Sequence, residues 1–301
     1  MQRILIQEVG PRDGLQMEPE FFPTGKKIEL INQLSEAGVD KIEVSSFVSP
    51  KAIPNLKDAE DVFQKINRKE GVTYTALVPN LKGAERAISA GADELNLVAS
   101  VSETHNQKNI RRTVEESFQG FKEIIRLADA NHIPVNGTLA TTFGCPFEGS
   151  IDPQRVIELV VRYLDMGASG ITLADTTGMA VPYQVYKLCS EVLDRYPEVP
   201  ITLHFHNTRG MGLANVVESI RAGVVRYDAS VGGLGGCPFA PGATGNICTE
   251  DLVHMLKFSG HEVRADLPAL IEASKFLQKE IGHEVPGQVI KSGLITDLHS
   301  A

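Results

Sequence analysis

The chain has 301 residues, of which 42% are hydrophobic and 22% are charged. These proportions are typical of a globular protein, and the length suits one large α/β barrel or two smaller domains. The formal net charge of -9 is spread along the sequence, which argues against a nucleic-acid partner.

Other bulk features indicate the cellular setting. The four cysteines form no Cys-x-x-Cys pair, which is typical of a reducing compartment. No stretch approaches the roughly 20 apolar residues of a membrane helix, so we expect no membrane partner. A strand pattern begins near Arg3, which leaves no room for a targeting peptide. We therefore expect a cytoplasmic protein.

Short segments rich in Val, Ile, Leu and Thr, each bounded by turn residues, predict eight strands. They are residues 4–9, 41–47, 74–78, 94–100, 134–143, 170–176, 200–206 and 226–233. Amphipathic patterns between several of them predict helices, for example over 25–38, 81–93 and 152–170. The last of these begins with Asp152 as a predicted N-cap and Pro153 in the first turn.

Strands that alternate with helices predict a parallel sheet, and eight such units close a (β/α)8 TIM barrel. An open, doubly wound sheet is the alternative, although no Gly-x-Gly-x-x-Gly follows the first strand. We expect one catalytic domain over residues 1–301, with the barrel at about 3–248. Helices at about 249–301 would then be appended to it.

Active sites of such barrels lie at the carboxyl ends of the strands, and reactive residues follow several predicted strands here. Arg12 and Asp13 come after the first strand and could hold a metal and an anionic oxygen. A surface turn is the alternative interpretation, since Pro, Asp and Gly all favour turns.

The seventh predicted strand contains His204 and His206. Residues two apart on a strand project to the same face, so both imidazoles would point into the barrel. Such a pair favours a divalent metal ion, whereas two structural core histidines are the alternative. Glu43 lies in the second strand, where it could orient Arg12 or form a salt bridge with no catalytic role. Asp175 lies at the tip of the sixth strand.

Residues 232–246, GGLGGCPFAPGATGN, follow the eighth strand and contain six glycines. Such a segment can approach a ligand closely and can close over it, or it can be a hinge with no reactive group. It carries Cys237 and ends at Asn246, whose amide oxygen is a candidate metal ligand. Cys145 lies in the similar segment FGCPFEG, and spacing alone does not separate the two cysteines.

Together these motifs resemble the 3-hydroxy-3-methylglutaryl-CoA lyase family over nearly the whole chain. The most specific match is SVGGLGGCPFAPGATGN (230–246). The others are VGPRDGLQ (9–16), IEVSSFVSPK (42–51), LADTTG (173–178) and HFHNTRG (204–210). The resemblance implies a TIM barrel that cleaves (S)-3-hydroxy-3-methylglutaryl-CoA to acetyl-CoA and acetoacetate, as in leucine degradation or ketone-body formation.

The resemblance also implies a role for each matching residue. The implied ligands of Mg²⁺ or Mn²⁺ are Asp13, His204, His206 and Asn246, and His204 is counted among the catalytic residues as well. Arg12 would bind substrate and stabilise the developing enolate. Cys237 would be the acid/base on the glycine-rich loop, and Glu43 and Asp175 would be supporting or proton-relay groups.

The expected partners are a small CoA thioester and, since dimers are the commonest assemblies, a second copy of the chain. Three alternatives remain open at this point. The first is a Claisen-type acyl transferase of the same superfamily, and the second is a related aldolase or carboxyltransferase-type domain. The third is a metal-binding barrel without catalytic activity.

Overall fold

A closed ring of eight parallel strands forms the centre of the computed structural model, which describes residues 3–236 and 245–298. The strands are β1 (Arg3–Glu8), β2 (Lys41–Ser46), β3 (Thr73–Leu77), β4 (Glu94–Ser100), β5 (Val135–Ala140), β6 (Gly170–Asp175), β7 (Ile201–Phe205) and β8 (Arg226–Ala229). Each strand pairs with its neighbours in chain order, and β1 pairs with both β2 and β8, which closes the ring. The prediction of a TIM barrel is confirmed.

Helices connect successive strands and cover the outside of the ring. They are α1 (Thr24–Glu36), α2 (Ala59–Lys65), α3 (Leu81–Ser89), α4 (Glu103–Ile110), α5 (Val114–Ala130), α6 (Pro153–Asp165), α7 (Pro182–Arg195), α8 (Gly212–Ala222), α9 (Thr249–Phe258), α10 (Leu267–Ile281) and α11 (Val289–Ser292). In the described part of the chain, none of them has the length and apolar character needed to cross a bilayer.

The first turn of α6 shows how local sequence sets an element. The side chain of Asp152 accepts a hydrogen bond from the backbone N–H of Gln154 at 3.0 Å, and Pro153 occupies the first turn. Both features match the prediction. The helix then buries Tyr163 against Gly137 of β5, where an added Cβ would lie 2.5 Å from the tyrosine ring. Glycine is therefore required for this close contact between helix and strand.

The structure differs from the sequence-based expectation at several element ends. The predicted strand over 226–233 ends at Ala229, because Val231–Gly233 form a 3-10 turn in which Gly232 has a left-handed φ of 67°. The predicted strand over 134–143 ends at Ala140, because Thr141 adopts a left-handed φ of 56° that interrupts the ladder. A short strand that was not predicted, β9 (Glu262–Val263), pairs with Arg3 and Ile4 on the outside of the ring. Its two residues carry no alternating pattern that a sequence analysis could detect.

The two faces of each barrel strand differ in character. Side chains that point outward, such as Leu97, Leu139 and Leu203, are completely buried against the helices. Many side chains that point inward are polar. The carboxyl ends of the strands therefore bring polar groups from distant parts of the chain together at one rim.

Candidate metal centre and active site

Asp13 reaches the rim from a single π-helical turn, Gly10–Gly14, that follows β1. The backbone N–H of Asp13 donates to the carbonyl of Val9 at 2.7 Å, which fixes the start of the turn. His204 and His206 approach from β7, with ring centroids 5.2 Å apart. The ligand atoms of Asp13, His204 and His206 all lie within 4.8 Å of one another. Within residues 3–236 and 245–298, this is the one cluster of His, Cys, Asp and Glu found to be able to hold a metal ion.

The donor set and its burial fit a divalent cation. Two imidazoles and a carboxylate suit Mn, Fe, Co or Zn, and Mg when further oxygens complete the coordination. The Nδ1 atom of His206 and the Oδ1 atom of Asn246 are buried and have no hydrogen-bond partner among the described residues. Buried polar atoms normally have partners, so a bound cation or substrate would account for these orphaned atoms.

Asn246 is the last residue of the glycine-rich segment, and its backbone holds it beside the cluster. Residue 246 forms an antiparallel bridge with His206. Its Nδ2 atom donates to the Oδ2 atom of Asp13 at 2.8 Å and to the carbonyl of Leu234 at 3.1 Å. An added Cβ on Gly235 would lie 2.6 Å from Asn246 Nδ2, and Gly235 has a φ of +122°. Glycine is thus needed where the segment passes over Asn246.

Asp228 on β8 contacts the cluster through His204. Its Oδ2 atom lies 3.2 Å from the Nδ1 atom of His204. A neutral imidazole that donates Nδ1–H to a carboxylate keeps its Nε2 lone pair free for a metal. Asp228 therefore selects the tautomer and the ring orientation of His204. No motif in the sequence indicates Asp228, although it lies on a strand whose neighbouring residues, Tyr227 and Ala229, are buried and apolar.

Electrostatic interactions favour an ionised Asp13 and a neutral His206, and they act in the opposite direction on His204. Burial would raise the pKa of Asp13, but Arg12, His204 and His206 more than offset this and bring it to about 2. Burial, followed by the nearby His204, lowers the pKa of His206 to about 3. Burial would also lower the pKa of His204, yet Asp228 and Asp13 reverse the effect and raise it. A carboxylate and neutral imidazole nitrogens are the forms that bind metal.

Arg12 lies next to the cluster between two carboxylates. Its Nε atom donates to Oε2 of Glu43, and its NH1 group donates to Oδ1 of Asp13. Glu43 is 3% exposed, and burial raises its pKa while Arg12 opposes the rise. This contact agrees with both interpretations of Glu43, orientation of Arg12 and a salt bridge, so a catalytic role of Glu43 stays a prediction. The fixed guanidinium can stabilise negative charge that develops at the rim.

Asp175 lies at the end of β6 and is buried. Its Oδ1 atom accepts hydrogen bonds from the backbone N–H groups of Met179 and Ala180, at 2.7 and 3.1 Å. Its Oδ2 atom has no hydrogen-bond partner among the described residues. Burial raises the pKa of Asp175 to about 6. One carboxylate oxygen therefore remains available for a proton or a ligand.

Two buried glutamates hold both ends of the glycine-rich segment. Glu8 accepts from the backbone N–H groups of Gly10 and Val231, at 2.7 and 2.9 Å, and from the hydroxyl of Thr249 at 2.7 Å. Glu250 accepts from the N–H of Gly232 at 3.1 Å. These contacts tie the segment to β1 and α9. No motif in the sequence indicates either glutamate, because most of these partners are backbone N–H groups.

The two candidate cysteines have different positions. Cys237 lies outside the described residues, so its role stays a prediction. Cys145 is completely buried and donates to the hydroxyl of Ser102 at 3.0 Å, while its sulfur accepts from the N–H of Phe147 at 3.4 Å. The thiol of Cys145 is thus occupied inside a turn that Cys145 and Gly149 close.

The fold and the site define a (β/α)8 barrel that can hold a metal ion at the carboxyl ends of its strands. Comparison with known proteins is more specific. The sequence profile of the HMGL-like family matches residues 3–277, and the chain belongs to this family.

Several relatives match almost the whole chain. The hydroxymethylglutaryl-CoA lyase of Bacillus subtilis is 44% identical over 294 residues, which cover 97% of this chain and 98% of the relative. The (R)-citramalyl-CoA lyase of Chloroflexus aurantiacus is 41% identical over 303 residues, which cover 97% and 96%. A solved structure of an HMG-CoA lyase from Acinetobacter baumannii, in complex with coenzyme A and 3-methylmalate, superimposes with a TM-score of 0.95. It is 56% identical, and the alignment covers 99% of this chain and 98% of that one.

Proposed function

We propose that the protein is a lyase that cleaves (S)-3-hydroxy-3-methylglutaryl-CoA to acetyl-CoA and acetoacetate, with Mg²⁺ or Mn²⁺ as cofactor. The observation that carries this proposal is the convergence of Asp13, His204 and His206 beside Arg12 at one rim. Family membership and the named relatives support the choice of substrate. Asn246, with its orphaned buried oxygen, would be a fourth protein ligand.

The reaction is a retro-Claisen cleavage. The tertiary hydroxyl of the substrate loses a proton, the adjacent carbon–carbon bond breaks, and the electron pair leaves on the thioester as an enolate. A bound divalent cation would supply Lewis acidity that lowers the pKa of that hydroxyl. The products are the ketone acetoacetate and an enolate, which must gain a proton to become acetyl-CoA.

The chain's own side chains would meet the remaining demands. Arg12, fixed by Glu43 and Asp13, would stabilise the negative oxygen of the enolate. Asp175 would relay the hydroxyl proton, since its Oδ2 atom has no other partner among the described residues. Cys237 would protonate the enolate carbon, and closure of the glycine-rich loop would exclude water.

A second candidate is cleavage of citramalyl-CoA to acetyl-CoA and pyruvate, which uses the same bond-breaking chemistry. The 41% identity to a citramalyl-CoA lyase over nearly the full chain favours it. The solved relative with 56% identity contains 3-methylmalate, a diacid one carbon shorter than 3-hydroxy-3-methylglutarate. The identity of the acyl group is therefore the main point for experiment.

A side-by-side assay separates the two candidates. Metal-replete enzyme is given each thioester, and acetoacetate and pyruvate are followed with their NADH-linked dehydrogenases. We expect kcat/KM to be at least tenfold higher for 3-hydroxy-3-methylglutaryl-CoA. A preference for citramalyl-CoA would replace the proposed substrate. His206→Ala, purified identically, reports contaminating activity.

We also propose that residues 1–301 form one catalytic domain, that the protein is a homodimer and that it is located in the cytoplasm. Light scattering of the purified protein tests the dimer directly, because a mass of one chain would exclude it.

A further inference from the structure

The middle of the barrel is filled by a hydrogen-bonded polar network. TIM barrels usually fill this volume with branched aliphatic side chains. Here Gln7 donates to Thr202 at 3.1 Å across the interior. On the opposite side, inward-facing amides and hydroxyls of β4, β5 and β6 contact one another around a small cavity. Buried polar groups cost free energy unless they are paired, so this network calls for a functional explanation.

Directional hydrogen bonds fix the orientation of the Asn96 amide. Its Oδ1 atom accepts from the hydroxyl of Thr138 at 2.7 Å and from Nδ2 of Asn136 at 3.1 Å. Asn136 is held in turn by Oγ1 of Thr172 at 3.0 Å. With its oxygen occupied, Asn96 presents Nδ2 to the Oε1 atom of Glu43 at 2.9 Å. If the Asn96 amide were rotated by 180°, its oxygen would instead face the Oε1 atom of Glu43, and two acceptors would be in contact.

Both oxygens of Glu43 are then held, because Oε1 accepts from Asn96 and Oε2 accepts from Arg12. The direction of the Arg12 guanidinium depends on this carboxylate and on Asp13. We propose that Asn96 is a positioning residue that fixes Glu43 and, through it, aims Arg12 at the reacting thioester. This inference rests on the proposed function of Arg12.

Asn96 reaches Arg12 without passing through the metal cluster. Its contacts lead to Glu43, Asn136 and Thr138, whereas His204 is oriented separately by Asp228. Loss of Asn96 should therefore lower the rate of the chemical step and leave metal affinity unchanged. A general disturbance of the barrel would change both.

A double-mutant cycle tests this coupling. We expect Asn96→Leu, which keeps the volume but removes the donor, to lower kcat about 10–100-fold. The dissociation constant for Mn²⁺ should not change. In a Glu43→Gln background, the same substitution should cost less than about threefold. Thr172→Val, at the far end of the network, is the matched control and should cost less than about threefold on its own.

Equal losses from Asn96→Leu in both backgrounds would overturn the proposal, as would a kcat within threefold of wild type. If Asn96→Leu fails to fold, Asn96→Asp keeps the shape, places a carboxylate beside Glu43 and should show the same coupling.

Failure of the proposed function would appear differently, as a wild-type protein that cleaves neither thioester. A crystal structure of Asn96→Leu then tests positioning alone. A displaced pair of Glu43 and Arg12 supports the inference, and an unmoved pair overturns it.

Discussion

The two faces of the barrel strands serve different purposes. On β7, Leu203 and Phe205 point outward and are completely buried among apolar side chains, whereas Thr202, His204 and the following His206 point inward. The outward residues make many apolar contacts and few polar ones. The inward residues make directional hydrogen bonds to side chains of neighbouring strands.

This difference teaches where stability and function reside. Burial of a Leu side chain contributes about 1.5–3 kcal/mol. A buried hydrogen bond contributes a net of about 0.5–1.5 kcal/mol, and an unpaired buried group costs more than that. An interior of amides, carboxylates and imidazoles is therefore a costly way to fill a barrel. Its retention is understandable if these groups hold a cation and a guanidinium in place.

The largest expected effect comes from substitution of Cys237, for which Cys145 serves as the comparison. Cys237→Ser should lower kcat about 10²–10⁴-fold, because the proposed proton donor is lost. Cys145→Ser should stay within about threefold of wild type, since its buried thiol already has partners in its own turn. Steady-state kinetics of both variants, with matched circular dichroism spectra, measures the difference. Similar losses in both variants would contradict the assignment of Cys237.

A substitution on the outward face should affect stability and leave the chemistry intact. Leu97 is adjacent to Asn96 on β4 but points to the helices and is completely buried. Leu97→Ala should lower the free energy of unfolding by about 2–5 kcal/mol, because it leaves a cavity. Urea unfolding measures this loss, and kcat per folded molecule at 25 °C should not change. A lower kcat in fully folded Leu97→Ala would contradict the assignment of stability to the outward face and of chemistry to the inward face.

Asp228→Asn should weaken metal binding on the inward face. The variant keeps the shape of the side chain but loses the charge that holds the Nδ1–H of His204. We expect the dissociation constant for Mn²⁺ to rise about 10–100-fold, as measured by titration with electron paramagnetic resonance. Asn96→Leu is the matched control, for which we expect no change. An unchanged affinity in Asp228→Asn would remove Asp228 from the site.

Per pH unit, the smallest expected effect concerns Glu8, whose contacts fasten the glycine-rich segment. Burial raises the pKa of Glu8 from 4.5 to about 8. The folded state therefore binds a proton that the unfolded state releases between these pH values. The resulting stabilisation is present in full below pH 4.5 and is lost as the pH rises to about 8.

Glu8→Gln removes this titration and keeps the side-chain shape. The stability of wild type relative to the variant should fall between pH 5 and pH 8, by no more than about 1.4 kcal/mol per pH unit. Urea unfolding of both proteins at several pH values gives the difference. A difference that is constant with pH, or that grows as the pH rises, would contradict the protonated state of Glu8.

The sequence was sufficient to predict the apolar outward face of the strands and the reactive residues at their carboxyl ends. Alternating apolar residues fix the strands, and a barrel brings their carboxyl ends together, so His204, His206 and Asp13 could be placed at one rim. Their clustering within 4.8 Å agrees with that placement. The roles of these residues remain part of the proposed function.

The supporting contacts could not be predicted in the same way. Asp228 and Asn96 act on residues of other strands, and only the barrel register shows which side chains become neighbours. Glu8 and Glu250 act on backbone N–H groups, which leave no trace in a residue pattern. Thr141, whose left-handed conformation ends β5 early, donates its backbone N–H to Oγ1 of Thr176 at 3.2 Å, a contact that no local residue pattern indicates.

The most direct test of the metal centre is anomalous X-ray diffraction from crystals soaked in Mn²⁺. We predict one strong peak within coordination distance of Asp13, His204 and His206, with the amide oxygen of Asn246 turned towards it. A peak elsewhere in the protein would contradict the account. The absence of any peak, in protein that turns over substrate fully in the presence of chelator, would contradict it as well.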